Sequence, residues 1–482
     1  MSLLSMLIHS RWPLALAALV VYLAYKVKGY YRLRHFKGPP GSGWLELWHS
    51  SAMLGDNLHL RYKDVCDKYG TIARIGPNDL ITCSREVLSH MSAVRSPYTR
   101  ASWFAMAFRF QPGRDNLFSE TNEEIHSRRR QQMAPGYSGK ENLELEGGVD
   151  TYIEKLIYLI RSKYLSTPEH AVSFDLGIKL QYLALDVINS VGLGDSLGNL
   201  DNDTDEYAYI QSLEEGVHMG IFFSAIGLLS IMQAPWIFRL FAPSEKDGMG
   251  FGRVMRHART RIEARLRQDT ETRSDMLASF VRHGLGTEEL VGEAILQLIA
   301  GSDTTATAIR STMLYLLTHP RVYAKLQAAV DAAVAEGKAP PAPGIISDAE
   351  AKSLPYLQAC VKEGMRIHPP TTGPFSKRVP DGGDTVMVAG KLVFLPGGAN
   401  VSSSAYAVLM NKDVYGQDAD EFRPERWLLE KNEEKLAVMH RTHDLIFGYG
   451  RYQCLGKPIA LMEIHKTVFE VWCSARTFLV LT

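Results

Sequence analysis

The chain has 482 residues, 46% of them hydrophobic and 22% charged, which gives enough apolar material for a large core and excludes a disordered chain. Its 53 basic and 53 acidic side chains balance, so no global attraction to nucleic acid or anionic lipid follows from charge. The five cysteines, Cys66, Cys83, Cys360, Cys454 and Cys473, are too few and too scattered for a disulfide framework or a closed zinc site.

The first predicted element is apolar. Residues 12–25 (WPLALAALVVYLAY), extended by residues 3–8, are long enough to span a bilayer, although His9 and Arg11 interrupt them. A cleavable leader would need small residues next, but Lys26 and Lys28 follow. An interfacial helix would need a polar face, which this run lacks. Arg11 precedes the run, and Lys26, Lys28, Arg32, Arg34 and Lys37 follow it. By the positive-inside rule the body of the chain then faces the cytosol. Residues 1–37 are thus the expected anchor and basic flank, in the endoplasmic reticulum membrane, with residues 38–482 as the body. The sequons at Asn202 and Asn400 are chance matches in that topology.

Gly38-Pro39-Pro40-Gly41 predicts a helix stop and a stiff hinge. Two short strands are expected at residues 70–76 and 80–83, around a turn at Pro77-Asn78-Asp79. Residues 124–317 read as mainly helical, without repeats. Within them, residues 221–241 are strongly apolar but broken by Pro235, with Gln233 and Arg239 inside. Two readings stay open there: a core helix pair, or a pair that dips into a membrane surface. A long helix is expected over residues 287–319, ending before Pro320, and another over residues 354–367, ending at Pro369-Pro370. Short apolar runs with Gly and Pro turns predict small sheets up to Tyr406, and a last helix follows Cys454. The fold class is mainly α with minor β.

Three segments carry chemistry. In FGYGRYQCLG, residues 447–456, a lone cysteine follows a glycine-rich turn and opens a helix. One cysteine holds a bare metal ion poorly, but it suffices as the axial ligand of a haem, whose porphyrin supplies four nitrogens. Gly448 and Gly450 would let the backbone approach a flat macrocycle, Gly456 would keep the helix close, and amides at the helix start would stabilise a thiolate. An ordinary glycine-rich turn with a buried thiol is the alternative. In mid-helix, Ala300-Gly301-Ser302-Asp303-Thr304-Thr305 predicts a groove with an acid beside an alcohol, the pairing that proton delivery to dioxygen requires. Glu363 and Arg366 lie on one helix face, where they would pair, joined by Arg426 if buried.

In this order and spacing the set resembles the cytochrome P450 family over nearly the whole chain, and FGYGRYQCLGK looks most like the fungal branch that includes pisatin demethylase. The resemblance implies a P450 catalytic domain over residues 38–482 behind the anchor, with haem b as cofactor and Cys454 as the iron ligand, in a loop bearing Phe447, Gly450 and Gly456. Asp303 and Thr304 would be the distal acid–alcohol pair, and Glu363, Arg366 and Arg426 a buried structural triad. His126 and Arg130 would hold the haem propionates, with Arg378 as a further partner. Residues 371–375 and the helix face around residues 298–302 would line a substrate pocket, with Ile295, Leu298 and Phe375 making it apolar. No flavin or nicotinamide fingerprint is present, so electrons would come from NADPH through a separate membrane-bound reductase, docked by Arg129, Arg451 and Lys457. The substrate would be a lipophilic specialised metabolite such as a terpenoid, polyketide or indole alkaloid, and no nucleic acid partner is expected.

Two departures from the family pattern stand out. Tyr452 occupies the place, two residues before the cysteine, where the family commonly has arginine, so its hydroxyl is expected to bond a propionate. After about residue 470 the family's strand and hairpin are unmatched, which predicts either a lost pocket wall or a gene-model or splicing difference in the C-terminal sequence. Two rivals remain at this stage: a reductase-independent haem-thiolate isomerase or dehydratase, and a non-enzymatic haem protein.

Overall fold

The computed structural model describes residues 3–111, 113–167, 169–267 and 275–474. They form two units, one from residues 1–101 with 373–407 and the other from residues 102–372 with 408–482.

In the first unit, β1 (Ile72–Arg74) pairs antiparallel with β2 (Asp79–Thr82) across the predicted turn. With β3 (Thr99–Arg100), β4 (Lys377–Arg378) and β7 (Asn400–Ser403) they make a sheet of order β1-β2-β7-β4-β3, in which β2 and β7 run parallel. A separate hairpin joins β5 (Asp384–Val388) to β6 (Lys391–Leu395). Leu80, Val87, Val379, Val401 and Leu395 form the core beneath. The helix Leu3–Arg32 covers the expected anchor, but residues 1–12, on which a full span depends, have side chains outside the described set. Among the described residues no helix is long and apolar enough to cross a membrane.

That helix ends at Arg32, earlier than the Gly38–Pro40 stop expected from sequence. The buried Arg74 guanidinium donates to the terminal carbonyls of Gly29 at 3.3 Å and Tyr30 at 3.0 Å, capping it from outside. Leu33 and Phe36 then bury themselves in the core, so the link is fastened down rather than a free hinge.

The second unit is helical. Its centre is the long helix Thr287–Thr318, packed against Leu176–Leu193, Pro355–Ile367 and the proximal helix Lys457–Ser474. Two glycines permit this packing. A Cβ on Gly301 would lie 2.7 Å from Ile188 Cγ1, and one on Gly364 would lie 2.2 Å from Thr312 Oγ1. Gly301 therefore serves helix–helix contact, not the groove read from sequence.

Residues 221–241 are not a core pair. They fall in the helices Tyr209–Ala225, Leu229–Met232 and Pro235–Phe241, and Val217, Phe222, Ile231, Trp236 and Leu240 are exposed. Of the expected C-terminal departure, residues 475–482 lie outside the described residues.

The proximal helix buries charge. Lys466 bridges Glu146 at 2.7 Å and Asp150 at 2.6 Å, and the Glu470 carboxylate accepts from Ile346 N at 2.8 Å. Glu463 has no such compensation, and burial pushes its pKa up to about 8. The native state therefore holds a proton that the unfolded chain releases above pH 4.5. Its stabilising contribution is complete below that value and falls as pH rises toward about 8, at roughly 1.4 kcal/mol per pH unit. Glu463→Gln is expected to keep the fold and lose less stability than wild type between pH 5 and pH 8, measured as melting temperature. Equal losses in the two proteins would contradict this.

Candidate active site

The cysteine loop is a pair of tight turns, Asp444–Phe447 and Gly450–Tyr452, before the proximal helix. Gly448 (φ 73°) and Gly450 (φ 58°) occupy the left-handed region, where a side chain would be strained. A Cβ on Gly448 would meet the loop's own Tyr452 carbonyl oxygen at 2.8 Å, so these glycines are needed by the turn itself. The Cys454 amide donates to Phe447 O at 2.7 Å and closes the loop.

Cys454 is solvent-accessible, yet the surrounding protein pushes its thiol pKa up through burial. Both hold for a side chain that faces an internal cleft. Amides of Gly456 and Lys457 hydrogen-bond the sulfur, and the charges of Arg130 and Lys457 also favour its thiolate. Among the described residues no three His, Cys, Asp or Glu side chains converge on a bare ion. A lone thiolate then calls for a ligand that supplies the remaining donors.

The helix Glu123–Tyr137 brings His126 and Arg130 to this loop. Asn122 caps it, its Oδ1 accepting from Glu124 N at 3.0 Å and Ile125 N at 3.2 Å. Arg130 is half-buried and, among the described residues, makes no ion pair. Burial lowers its pKa while the charge of Cys454 supports its cationic form. A half-buried guanidinium without a carboxylate suits the anionic propionates of haem. The thiolate donor and this waiting cation both fit that cofactor. The Tyr452 hydroxyl, expected to bond a propionate, donates to Glu123 Oε1 in this structure. Glu123 also takes Arg451 Nη1 at 3.1 Å.

On the long helix, Ala300 and Asp303 are exposed and Thr304 is half-buried, giving one face by their i, i+3, i+4 spacing. Thr304 Oγ1 donates to Ala300 O at 2.8 Å, which leaves its lone pairs free to accept. Although Asp303 is accessible, the protein packed around its carboxyl displaces enough water to push its pKa up, opposed by Arg310. Ile295 and Leu298 are buried and Leu298 packs on Leu185 and Ile188, so they are core and not pocket lining. Ser302 is also buried, donating to Leu298 O at 2.7 Å.

The predicted triad is fully formed. Glu363 and Arg366 have no exposed surface, and Arg426 is 3% exposed. Glu363 Oε1 accepts from Arg366 Nη2 at 2.8 Å and Arg426 Nε at 2.8 Å. Trp427 Nε1, which sequence reasoning overlooked, donates to Glu363 Oε2 at 2.8 Å.

The family model "Cytochrome P450" matches residues 39–471. The chain belongs to the cytochrome P450 family. Cytochrome P450 monooxygenase ABA1 of Pyricularia oryzae is 40% identical over 95% of this chain and 89% of its own. Cytochrome P450 monooxygenase aba1 of Botryotinia fuckeliana is 35% identical over 88% of this chain and 82% of its own, and gsfF of Penicillium aethiopicum is 30% identical over 89% and 85%. This P450 is therefore a haem-dependent monooxygenase of fungal kinship. None of these relatives is a pisatin demethylase by name, so that finer branch gains no support from them.

Arg378, expected as a further propionate partner, lies on β4, half exposed, and pairs with Asp381 Oδ1 at 3.0 Å. Arg129 is buried, donates to Asp115 O at 2.6 Å and pairs with Glu293 at 3.4 Å. Lys457 pairs with Asp444 at 3.1 Å, and Arg451 with Glu123. All three of these cations, expected to dock a reductase, are paired within the chain. Sequence reasoning also missed Glu123; nothing in its neighbourhood, an ordinary acidic first turn, signals a distant tyrosine.

Proposed function

We propose that this P450 takes electrons from a separate NADPH-dependent reductase and inserts one oxygen atom of dioxygen into a lipophilic small molecule of fungal specialised metabolism. The observation that carries this reading is the accessible Cys454 sulfur, set among helix-start amides in the same helical unit as the Asp303–Thr304 pair. Haem, when bound, supplies the redox-active iron at which dioxygen is reduced. The protein supplies the thiolate of Cys454, the Arg130 cation for a propionate, and a proton route. Asp303 holds a proton more tightly than an ordinary carboxyl because burial raises its pKa. Thr304 Oγ1, anchored on Ala300 O, accepts from a water or from Asp303 and keeps the proton at the exposed helix face.

The reading is tested by mixing purified enzyme with a fungal reductase, NADPH and candidate lipophilic substrates. Substrate-stimulated NADPH consumption with an oxygenated product supports it; reductase-independent conversion would overturn it. Asp303→Asn is expected to cut product formation about 100-fold, in line with loss of a positioned acid. NADPH oxidation should continue, with hydrogen peroxide accumulating. Unchanged product per NADPH would remove Asp303 from the proton route.

For reductase docking, exposed Arg128 and Arg441 replace the cations that are internally paired, since among the described residues neither makes an ion pair. Reversing both charges should raise the reductase concentration needed for half-maximal turnover; no change sinks this assignment. We also place residues 1–37 as an anchor in the endoplasmic reticulum membrane, with the exposed apolar side chains of residues 217–240 adding contact. Full release of the protein by alkaline carbonate would refute the anchor.

A further inference from the structure

Glu123 opens the helix that carries His126 and Arg130, and its carboxylate reaches the cysteine loop. Oε1 accepts from the Tyr452 hydroxyl, and Oε2 lies 3.1 Å from Arg451 Nη1 and 4.0 Å from His126 Nδ1. The side chains of Glu123 and Arg451 are 20% and 15% exposed, so water screens their attraction less than at a free surface. The His126 and Tyr452 rings stand 5.3 Å apart, which packs the helix and the loop side by side. One carboxylate therefore ties two consecutive residues, ending two positions before the thiolate, to the helix that presents the propionate cation.

The geometry points to Glu123 as a positioning residue that locks the Cys454 loop through Tyr452 and Arg451 and sets the charge balance beside the thiolate. A loop held by two charge-assisted bonds to the neighbouring helix keeps Cys454 in register; without them its turns rely on short-range backbone bonds within the loop, Tyr452 N to Tyr449 O, Gln453 N to Gly450 O and Cys454 N to Phe447 O. In addition, Glu123 and Arg451 are opposite charges at one place in a poorly solvated region. Removing the anion leaves a net positive charge near the iron ligand, which favours the reduced form; removing the cation does the reverse. The Tyr452 departure from the family pattern then makes sense. With tyrosine in place of arginine, the loop binds an acid on the neighbouring helix instead of offering a second cation.

The inference rests on Cys454 as the iron ligand, and its test separates the two claims. The haem reduction potential is measured by spectroelectrochemistry in haem-loaded Glu123→Gln, Arg451→Gln and the double variant, with haem release followed by transfer to excess apomyoglobin. Glu123→Gln should raise the potential, Arg451→Gln should lower it, and the double variant should return near wild type. A loop with a merely structural tie would give no such opposed signs. Tyr452→Phe keeps both charges, so it should leave the potential unchanged and speed haem release about tenfold, one charge-assisted bond's worth. If Glu123→Gln does not load haem, Glu123→Asp, which keeps the charge, should retain the wild-type potential. Potentials that stay put in all variants, or move in one direction in both single variants, would overturn the role of Glu123. A reduced carbonyl complex without thiolate character in wild type would instead overturn Cys454 as the ligand.

Discussion

Glu363→Ala is expected to abolish the folded, haem-loaded enzyme. The carboxylate lies at the centre of a buried network in which Arg366, Arg426, Trp427 and the Arg423 amide all donate to it. The arginines in turn donate to backbone carbonyls of neighbouring segments. Arg366 Nη1 donates to Leu409 O at 3.0 Å and Ala419 O at 2.5 Å, and Arg426 Nη1 donates to Tyr415 O at 2.6 Å. Removing Glu363 leaves the Arg366 guanidinium buried without a counter-charge and Arg426 with only Asp418, at 3.2 Å. Breaking one buried pair this way costs roughly 3–5 kcal/mol, and here two are broken at once. That is comparable with the whole stability of a typical protein, about 5–15 kcal/mol. An exposed pair such as Lys63–Asp67 would cost less than about 1 kcal/mol.

Acid should mimic the mutation. The two arginines hold the Glu363 pKa below its ordinary value of 4.5, against the opposing effect of burial. The sign follows: the native state binds this proton more weakly than the unfolded chain, so the contribution is complete above pH 4.5 and is lost as pH falls below it. Expression yield, haem content and a melting curve report the outcome. A Glu363→Ala protein that melts within a few degrees of wild type would show that the network adds little.

Much of this was legible in the sequence because it rests on local signals. Pro320, Pro355 and Pro369 mark where helices start and stop, and the i,i+3 spacing of Glu363 and Arg366 put them on one face. The Cys454 loop was legible because a positive φ at Gly448 and Gly450 demands glycine whatever surrounds it. What escaped was partnership across distance. Arg74 capping the first helix, Gly301 making room for Ile188 and Glu123 reaching Tyr452 each join residues far apart in the chain. Nothing local to Arg129, Arg451 or Lys457 distinguishes a free surface cation from one already paired within the chain. Leu298 shows the same limit: an apolar side chain in an apolar helix reads alike whether it lines a pocket or packs on Leu185.

The largest catalytic effect is expected at Cys454. Burial raises the thiol pKa of Cys454, and the Gly456 and Lys457 amides with the charges of Arg130 and Lys457 oppose that rise. Serine is nearly the same size but its alcohol stays neutral, so Cys454→Ser should fold with a similar melting temperature while losing the donor. Thiolate donation is what favours O–O cleavage. Its loss should drop product formation by at least about a thousandfold, even if pigment remains bound. Histidine would keep a nitrogen donor without the anionic charge and should fail similarly.

The most direct test of Cys454 as the iron ligand is the difference spectrum of the reduced, carbon monoxide-treated protein. Wild type should show the strongly red-shifted Soret band of a thiolate-ligated carbonyl complex, and Cys454→Ser should lack it. Well-folded, haem-loaded wild type without that band, or a serine variant that retains it, would contradict the account.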